Sequence, residues 1–139
     1  MRQQKQTLSN NCFATCVANL LNLDVDEVPN LCHLHGEEDG PSWWQVEAQK
    51  WLIDHGWFMV ELQWGAISAP IPESYPVIVN GMGARGRKHS VIGHIETSYN
   101  SMSMSVRYDF DPHEENSFLE TVEWITVLIP LRAMEEGLI

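Results

Sequence analysis

The spacing of apolar residues changes once along the chain, near Gly56, and this change restricts the folds that the sequence can adopt. Before Gly56 the apolar side chains recur at intervals of three and four residues, which is typical of a helix with one buried face. The first such stripe consists of Phe13, Cys16, Val17, Leu20 and Leu21. After Gly56 come five runs with strand character: WFMVELQW, YPVIVNGM, HSVIGHIE, MSMSVRYDF and WITVLIPL. Because helices precede strands, we predict an α+β fold in which an N-terminal helix and a further helix pack on a mostly antiparallel sheet.

The helix ends can be placed from short polar residues. The first helix is predicted from Cys12 to near Leu23, and either Asn10 or Asn11 can cap it, since a short side-chain oxygen can accept from first-turn N–H groups. The second helix is predicted to begin at Ser42.

The length, the net charge and the apolar runs of the chain exclude several classes of protein. The chain has 139 residues, and we predict one domain over residues 1–139. The net charge of −11 disfavours nucleic-acid binding, which relies on neutralising phosphates. The longest apolar runs are too short to span a membrane, and the start MRQQKQTLSNNC lacks the apolar segment of a signal peptide. We therefore expect a cytoplasmic protein with reduced thiols, no nucleic-acid or membrane partner and no cofactor.

Cys12 occupies the position in which a thiol is most readily ionised. It lies in the first turn of the predicted helix, at the edge of the apolar stripe, so partial exposure is expected. The partial positive charge and the N–H groups at a helix N-terminus favour thiolate over thiol. Cys12 is therefore a candidate nucleophile, although a free cysteine is also often a small buried hydrophobe.

A proton acceptor for this thiol is offered by His89, which opens a strand after a glycine-rich loop. The strands that begin at His89 and end near Asp111 form a predicted hairpin, so the two side chains are neighbours at one end of the sheet. Asp111 can then orient the imidazole. If His89 and Asp111 were directly opposite, the apolar residues of the two strands would lie on different faces of the sheet. We therefore expect a one-residue shift or bulge between the strands.

Further residues can complete a site around Cys12. Gln6 precedes Cys12 by six residues and is a candidate to stabilise an oxyanion together with the Cys12 N–H. Trp43 lies off the apolar face of the second helix and is a candidate for lining a substrate groove. The last candidates form a basic loop beside the histidine and are suited to binding a carboxylate: Arg85, Arg87 and Lys88.

Four segments of the chain resemble a group of small phage and bacterial papain-like cysteine peptidases. They are NNCFATCVANLLNLDVDEVPNL, SWWQVEAQKWLIDHG, ARGRKHSVIGHI and DFDPHEEN, and the similarity extends from about residue 6 to 131. The resemblance implies a papain-like fold and a triad of Cys12, His89 and Asp111, with Gln6 in the oxyanion hole. The function that we predict is a cysteine hydrolase that acts on a protein or peptide through an acyl-enzyme. Peptidase, isopeptidase, deamidase and acyl-transfer activities use the same triad, so all four remain open.

Three other interpretations remain open from the sequence. A phage cell-wall amidase would use Cys12 and His89 with a second histidine, either His94 or His113. A papain-like protein without turnover would act instead by binding a host factor.

The third interpretation is a structural metal site. Its candidate ligands are thiols and imidazoles, the types that zinc prefers: Cys12, Cys16, Cys32, His33 and His35. Two of the thiols would have to leave an amphipathic helix face to bind the metal, so we expect no metal site.

Overall fold

The fold is taken from a computed structural model that describes residues 1–30, 42–67 and 71–132, with backbone alone at 42–44. Two α-helices precede five strands, as the sequence predicts. Their bounds are α1 (Cys12–Leu21), α2 (Ser42–Asp54), β1 (Trp57–Gln63), β2 (Val77–Gly83), β3 (Lys88–Ser98), β4 (Ser103–Phe110) and β5 (Leu119–Pro130). In the parts of the chain that the structure describes, no helix is both long and apolar enough to cross a bilayer.

Helix α1 differs from prediction at both ends. Asn11 takes the N-cap position but does not cap with its side chain. Its Oδ1 instead accepts from the Leu8 N–H at 3.0 Å, and its Nδ2 donates to Thr7 Oγ1 at 3.0 Å. The helix ends at Leu21, two residues before the expected end, because Asn22 adopts a left-handed conformation with φ 59°. The Asn11 side chain therefore fixes the approach to the helix rather than its first turn.

Helix α2 begins at Ser42, as expected, and turns directly into β1. Gly56 follows the helix with φ 84°, a conformation that glycine adopts without strain, and its N–H donates to Ile53 O at 3.1 Å. The helix thus ends at the point where the spacing of apolar residues changes from helical to strand-like.

The five strands form one sheet in the order β1-β5-β2-β3-β4, and every neighbouring pair is antiparallel. Strand β5 begins at Leu119, five residues earlier than the predicted run that starts at Trp124. Apolar clusters cover both faces of the sheet. The helix-side cluster includes Phe13, Val17, Leu52, Ile78, Ile92 and Phe110. The opposite cluster includes Val79, Val91, Ile95, Ile125, Val106 and Tyr108.

The expected register shift lies between β3 and β4. Ile92 pairs with Phe110, whereas Gly93 pairs with Tyr108, so Asp109 is an extra residue in β4. Phe110 therefore packs in the helix-side cluster and Tyr108 in the opposite one. Continuing the first register places Asp111 opposite Val91, so Asp111 and His89 are diagonal neighbours with the same orientation rather than directly opposite.

Candidate active site

A cleft of about 150 Å³ opens between the start of α1 and the adjoining ends of β2, β3 and β5. We call it the Cys12 cleft. Its lining residues are Ser9, Asn10, Cys12, Phe13, Asn80, Gly81, Arg87, Lys88, His89, Ser90 and Trp124. The cleft therefore brings together residues from four elements around one thiol and one imidazole.

Cys12 is the first residue of α1 and lines the cleft with only 8% of its surface exposed. It is less open than the sequence suggested. The next residue, Phe13, is 1% exposed and packs in the helix-side cluster, so it anchors the first turn. The thiol is thus held in a fixed place at the helix N-terminus and still faces the cleft.

His89 lies between Cys12 and Asp111. Its Nε2–H donates to Asp111 Oδ1 at 2.7 Å, and its ring is hydrogen bonded to the Cys12 side chain. Because Nε2 is occupied by Asp111, Nδ1 is the nitrogen left for Cys12. Burial lowers the pKa of His89, but the hydrogen bonds and charges of Asp111 and Cys12 outweigh it and raise this pKa to about 9. The imidazolium form is therefore favoured at neutral pH.

Asp111 is a buried carboxylate whose two oxygens are both hydrogen bonded. Oδ1 accepts from His89 and from the His113 N–H at 2.8 Å, and Oδ2 accepts from the Phe118 N–H at 2.8 Å. Burial raises the pKa of Asp111, yet these three hydrogen bonds and the His89 charge lower it overall. The residue is 1% exposed and is not among the residues that line the cleft, so a ligand there would meet His89 rather than this carboxylate.

The segment that carries Asp111 is attached to the start of the chain. Lys5 Nζ donates to Asp111 O at 2.9 Å, to His113 O at 3.2 Å and to Asn116 Oδ1 at 2.8 Å. The Gln6 N–H donates to Pro112 O at 2.8 Å. These contacts fix the carboxylate relative to the residues that lead into α1.

Gln6 is not placed beside Cys12 in the cleft. Its Nε2 donates to Leu8 O at 2.7 Å, and it lines a neighbouring cavity of about 230 Å³ with His113 and Glu114. Its side-chain oxygen is buried and has no hydrogen-bond partner among the described residues. The spacing to Cys12 is as the papain-like resemblance requires, but in this conformation the amide of Gln6 serves the local turn.

The candidate substrate-binding residues divide into those that line the cleft and those that do not. Arg87 and Lys88 line it, whereas Arg85 is exposed on the same loop outside it. The Trp43 side chain lies outside the described residues. Trp124, which the sequence analysis did not single out, is half-buried and lines the cleft.

Two cleft residues, Asn80 and Ser90, were missed by the sequence analysis. Ser90 Oγ donates to Asn80 Oδ1 at 2.7 Å, and Asn80 Nδ2 donates to Thr126 Oγ1 at 3.0 Å. Asn80 directly follows the apolar run VIV of β2 and, although polar, is only 5% exposed. A polar residue at the end of such a run, before two nearby glycines, was the signal that could have indicated it.

The second thiol of α1 has a different environment. Cys16 is fully buried and its thiol donates to Ser90 O at 3.5 Å. Burial and the nearby Cys12 and Asp111 charges raise the pKa of Cys16 well above its usual value. Within residues 1–30, 42–67 and 71–132 no group of three potential metal ligands comes together. The other candidate ligands, Cys32, His33 and His35, lie outside the described residues.

His94 and His113, the second-histidine candidates of the amidase interpretation, have partners of their own in the structure. His94 Nδ1 is bonded to Asp109, and the His113 ring lies edge-on to His89 with 6.4 Å between centroids. No protein family, curated protein or solved structure matches the chain. The chemistry must therefore be argued from the geometry of the Cys12 cleft.

Proposed function

We propose that the chain is a papain-like cysteine hydrolase that cleaves an amide or ester bond of a protein or peptide. The observation that carries this proposal is the buried His89 ring, which is hydrogen bonded to Asp111 on one side and to Cys12 on the other, at the wall of a cleft. Such an arrangement needs a nucleophile, a base and an orienting group in contact, and all three are present.

In the first half of the reaction, the Cys12 thiolate attacks the carbonyl carbon and forms a C–S bond, and the carbonyl π electrons move to oxygen. The imidazolium of His89 then donates its Nδ1 proton to the leaving nitrogen or oxygen as the C–N or C–O bond breaks. Asp111 keeps its hydrogen bond to Nε2 throughout, so the ring keeps its orientation. The product of this half is a thioester on Cys12 and a released amine or alcohol.

In the second half, neutral His89 accepts a proton from water while the water oxygen attacks the thioester carbonyl. Collapse of the tetrahedral intermediate releases a carboxylic acid and regenerates the thiolate and the imidazolium. The oxyanion that forms in both halves would lie at the N-terminus of α1, where backbone N–H groups and the helix dipole favour negative charge. Since Asn11 does not cap the first turn, its side chain does not compete with the oxyanion there.

The contacts of His89 favour a Cys-His-Asp site over a Cys-His-His amidase site. Asp111 occupies the ring nitrogen that a second histidine would need, and His113 Nδ1 accepts from the Glu115 N–H at 3.1 Å instead. A reducing compartment keeps thiols from oxidising, so the cytoplasmic location that we propose would preserve the Cys12 thiol.

The proposal is tested with p-nitrophenyl acetate, a small activated ester that needs no specific recognition. We expect a burst of about one equivalent of p-nitrophenolate per protein and an acetyl group on Cys12 by mass spectrometry. Cys12→Ala should abolish the burst. Cys16→Ala is the matched control, because it removes a neighbouring thiol of the same helix that does not face the cleft, and it should keep the burst.

Iodoacetamide alkylation provides an independent measurement. Cys12 should react at pH 6 much faster than a free cysteine, because the imidazolium of His89 stabilises the thiolate. A folded protein with no burst, whose Cys12 reacts no faster than free cysteine, would refute the hydrolase and favour a binding protein that lacks turnover.

A further inference from the structure

The charges around the Cys12 cleft indicate which substrates it accepts. We propose that Arg87 forms a subsite for a carboxylate of the substrate, close to the scissile bond, so that the enzyme prefers anionic substrates to their neutral analogues. This inference rests on the proposed hydrolase function and adds a substrate class to it.

The cleft is positive in a strongly negative protein. The chain has a net charge of −11 and only eight Lys and Arg residues, yet Arg87 and Lys88 both line the cleft beside His89. Among the described residues that line it there is no Asp or Glu. An acidic composition would not predict positive side chains along a cleft wall. These side chains repel cationic ligands, which the acidic remainder of the surface attracts.

Most cations that the structure describes are already engaged with partners. The pairs and contacts are Arg2 with Asp24, Lys5 with the carbonyls of residues 111 and 113, Lys50 with Glu47, Lys88 with Glu123, and Arg107 with Asp109. The Arg87 side chain has no such partner within the described part of the chain. Its planar guanidinium is suited to binding a carboxylate through two parallel hydrogen bonds.

The two cations of the cleft therefore have different roles. Lys88 Nζ lies 2.5 Å from Glu123 Oε1 and 5.3 Å from the centroid of the Trp124 ring, so its charge is locally balanced and its side chain is held. Arg87 is in no ion pair with any carboxylate among the residues that the structure describes. The ion pair of Lys88 with Glu123 forms part of the cleft wall, whereas the guanidinium of Arg87 is the positive group that would bind a substrate carboxylate.

Arg87 and His89 both line the cleft, and Arg87 lies immediately before β3, two residues ahead of His89. The Gly83 N–H donates to Arg87 O at 2.8 Å, which closes the loop between β2 and β3 immediately before Lys88. Arg85 lies in the turn, outside the cleft lining.

The test compares two alkylating agents of similar size, iodoacetate and iodoacetamide, of which only the first carries a carboxylate. In both reactions the Cys12 thiolate displaces iodide and forms an S–CH₂ bond. The measured quantity is the ratio of the two rate constants at Cys12, and any change in thiolate fraction cancels in this ratio. Arg87→Gln is the test variant, and Arg85→Gln is the matched control with the same change in net charge.

We expect Arg87→Gln to lower the ratio about fivefold, as for the loss of one exposed charge interaction, and Arg85→Gln to change it less than about twofold. Raising the salt concentration should lower the wild-type ratio toward that of Arg87→Gln. Hydrolysis of matched peptides with Glu or Gln next to the scissile bond should show the same dependence on Arg87.

The possible failures are distinguishable. If Cys12 is rapidly alkylated but the ratio is equal in Arg87→Gln and Arg85→Gln, the carboxylate subsite is wrong and the hydrolase stands. If Cys12 is no more reactive than free cysteine with either reagent, the proposed function itself fails.

Discussion

Replacing Asp111 with asparagine tests whether this carboxylate controls His89 and, through it, the proposed nucleophile Cys12. The carboxylate accepts three hydrogen bonds, from His89, His113 and Phe118, and is 1% exposed. Asparagine has the same shape but only one acceptor oxygen, and it carries no charge. One of the two sides of the carboxylate must therefore be replaced by an NH₂ group after the substitution.

The new amide has two possible orientations, and both have a defined cost. If its oxygen faces His89, its NH₂ meets the Phe118 N–H, and a buried donor left unpaired costs about 1–3 kcal/mol of unfolding free energy. If its NH₂ faces His89, it forces the ring proton onto Nδ1, where neutral His89 can no longer accept the proton of Cys12. The first orientation reduces stability, and the second also removes the base.

Loss of the negative charge acts in either orientation. Burial lowers the pKa of His89, and without Asp111 less remains to offset it, so this pKa must fall from about 9. Each unit by which this pKa falls destabilises the imidazolium relative to the neutral ring by about 1.4 kcal/mol, which is a tenfold change in their ratio. We expect Asp111→Asn to slow iodoacetamide alkylation of Cys12 at pH 6 by at least about tenfold and to move its pH profile to higher pH.

Asp109→Asn is the matched control, because Asp109 is bonded to His94 outside the cleft. It should leave the alkylation rate of Cys12 within about twofold of wild type. Circular dichroism and urea unfolding establish that both variants fold. A folded Asp111→Asn protein with the wild-type rate and pH profile would show that Asp111 does not control His89.

Three further predictions concern stability. Because the pKa of His89 is raised to about 9, protonation of His89 stabilises the folded state fully below pH 6.5, and this contribution, on the order of 3 kcal/mol, is lost as the pH rises to about 9. Urea unfolding at pH 6 and pH 9 should show the difference in unfolding free energy. An equal decrease in the His89→Gln variant would show that another group causes it. Gly93→Ala should cost about 1–3 kcal/mol in urea unfolding, because its Cβ would lie 2.7 Å from Arg107 O, and wild-type stability would contradict this close approach. Phe13→Ala should cost about 3–5 kcal/mol, seen as a lower Tm, since Phe13 is 1% exposed in the core; a loss below about 1 kcal/mol would show that it does not anchor α1.

The elements and the central contact of the site could be predicted because they depend on local patterns. The helical stripe after Cys12 and the change to strands after Gly56 need only the spacing of apolar residues. The hairpin that brings His89 near Asp111 needs only two adjacent strands and a short turn, and the structure forms it.

Other features depend on contacts between distant segments and could not be predicted. The disagreement between apolar faces indicated a register shift, but the sequence did not show that the extra residue is Asp109. The orientation of Gln6 is set by Leu8 and by the segment around Pro112, more than 100 residues away. Nor does composition distinguish Arg87 from Arg85, since the difference depends on how the loop closes onto Gly83.

The extra residue in β4 also has an evolutionary consequence. Asp109 has no directly opposite residue in β3, although its side chain is hydrogen bonded to His94. A single-codon deletion there would therefore leave Phe110 opposite Ile92 and keep Asp111 on the side of His89. Deleting Phe110 instead would let Asp109 take its place opposite Ile92, which exchanges a buried ring for a charge on the helix side. We therefore expect a change of length in this strand to be tolerated at the codon of Asp109 and to be harmful at the next codon.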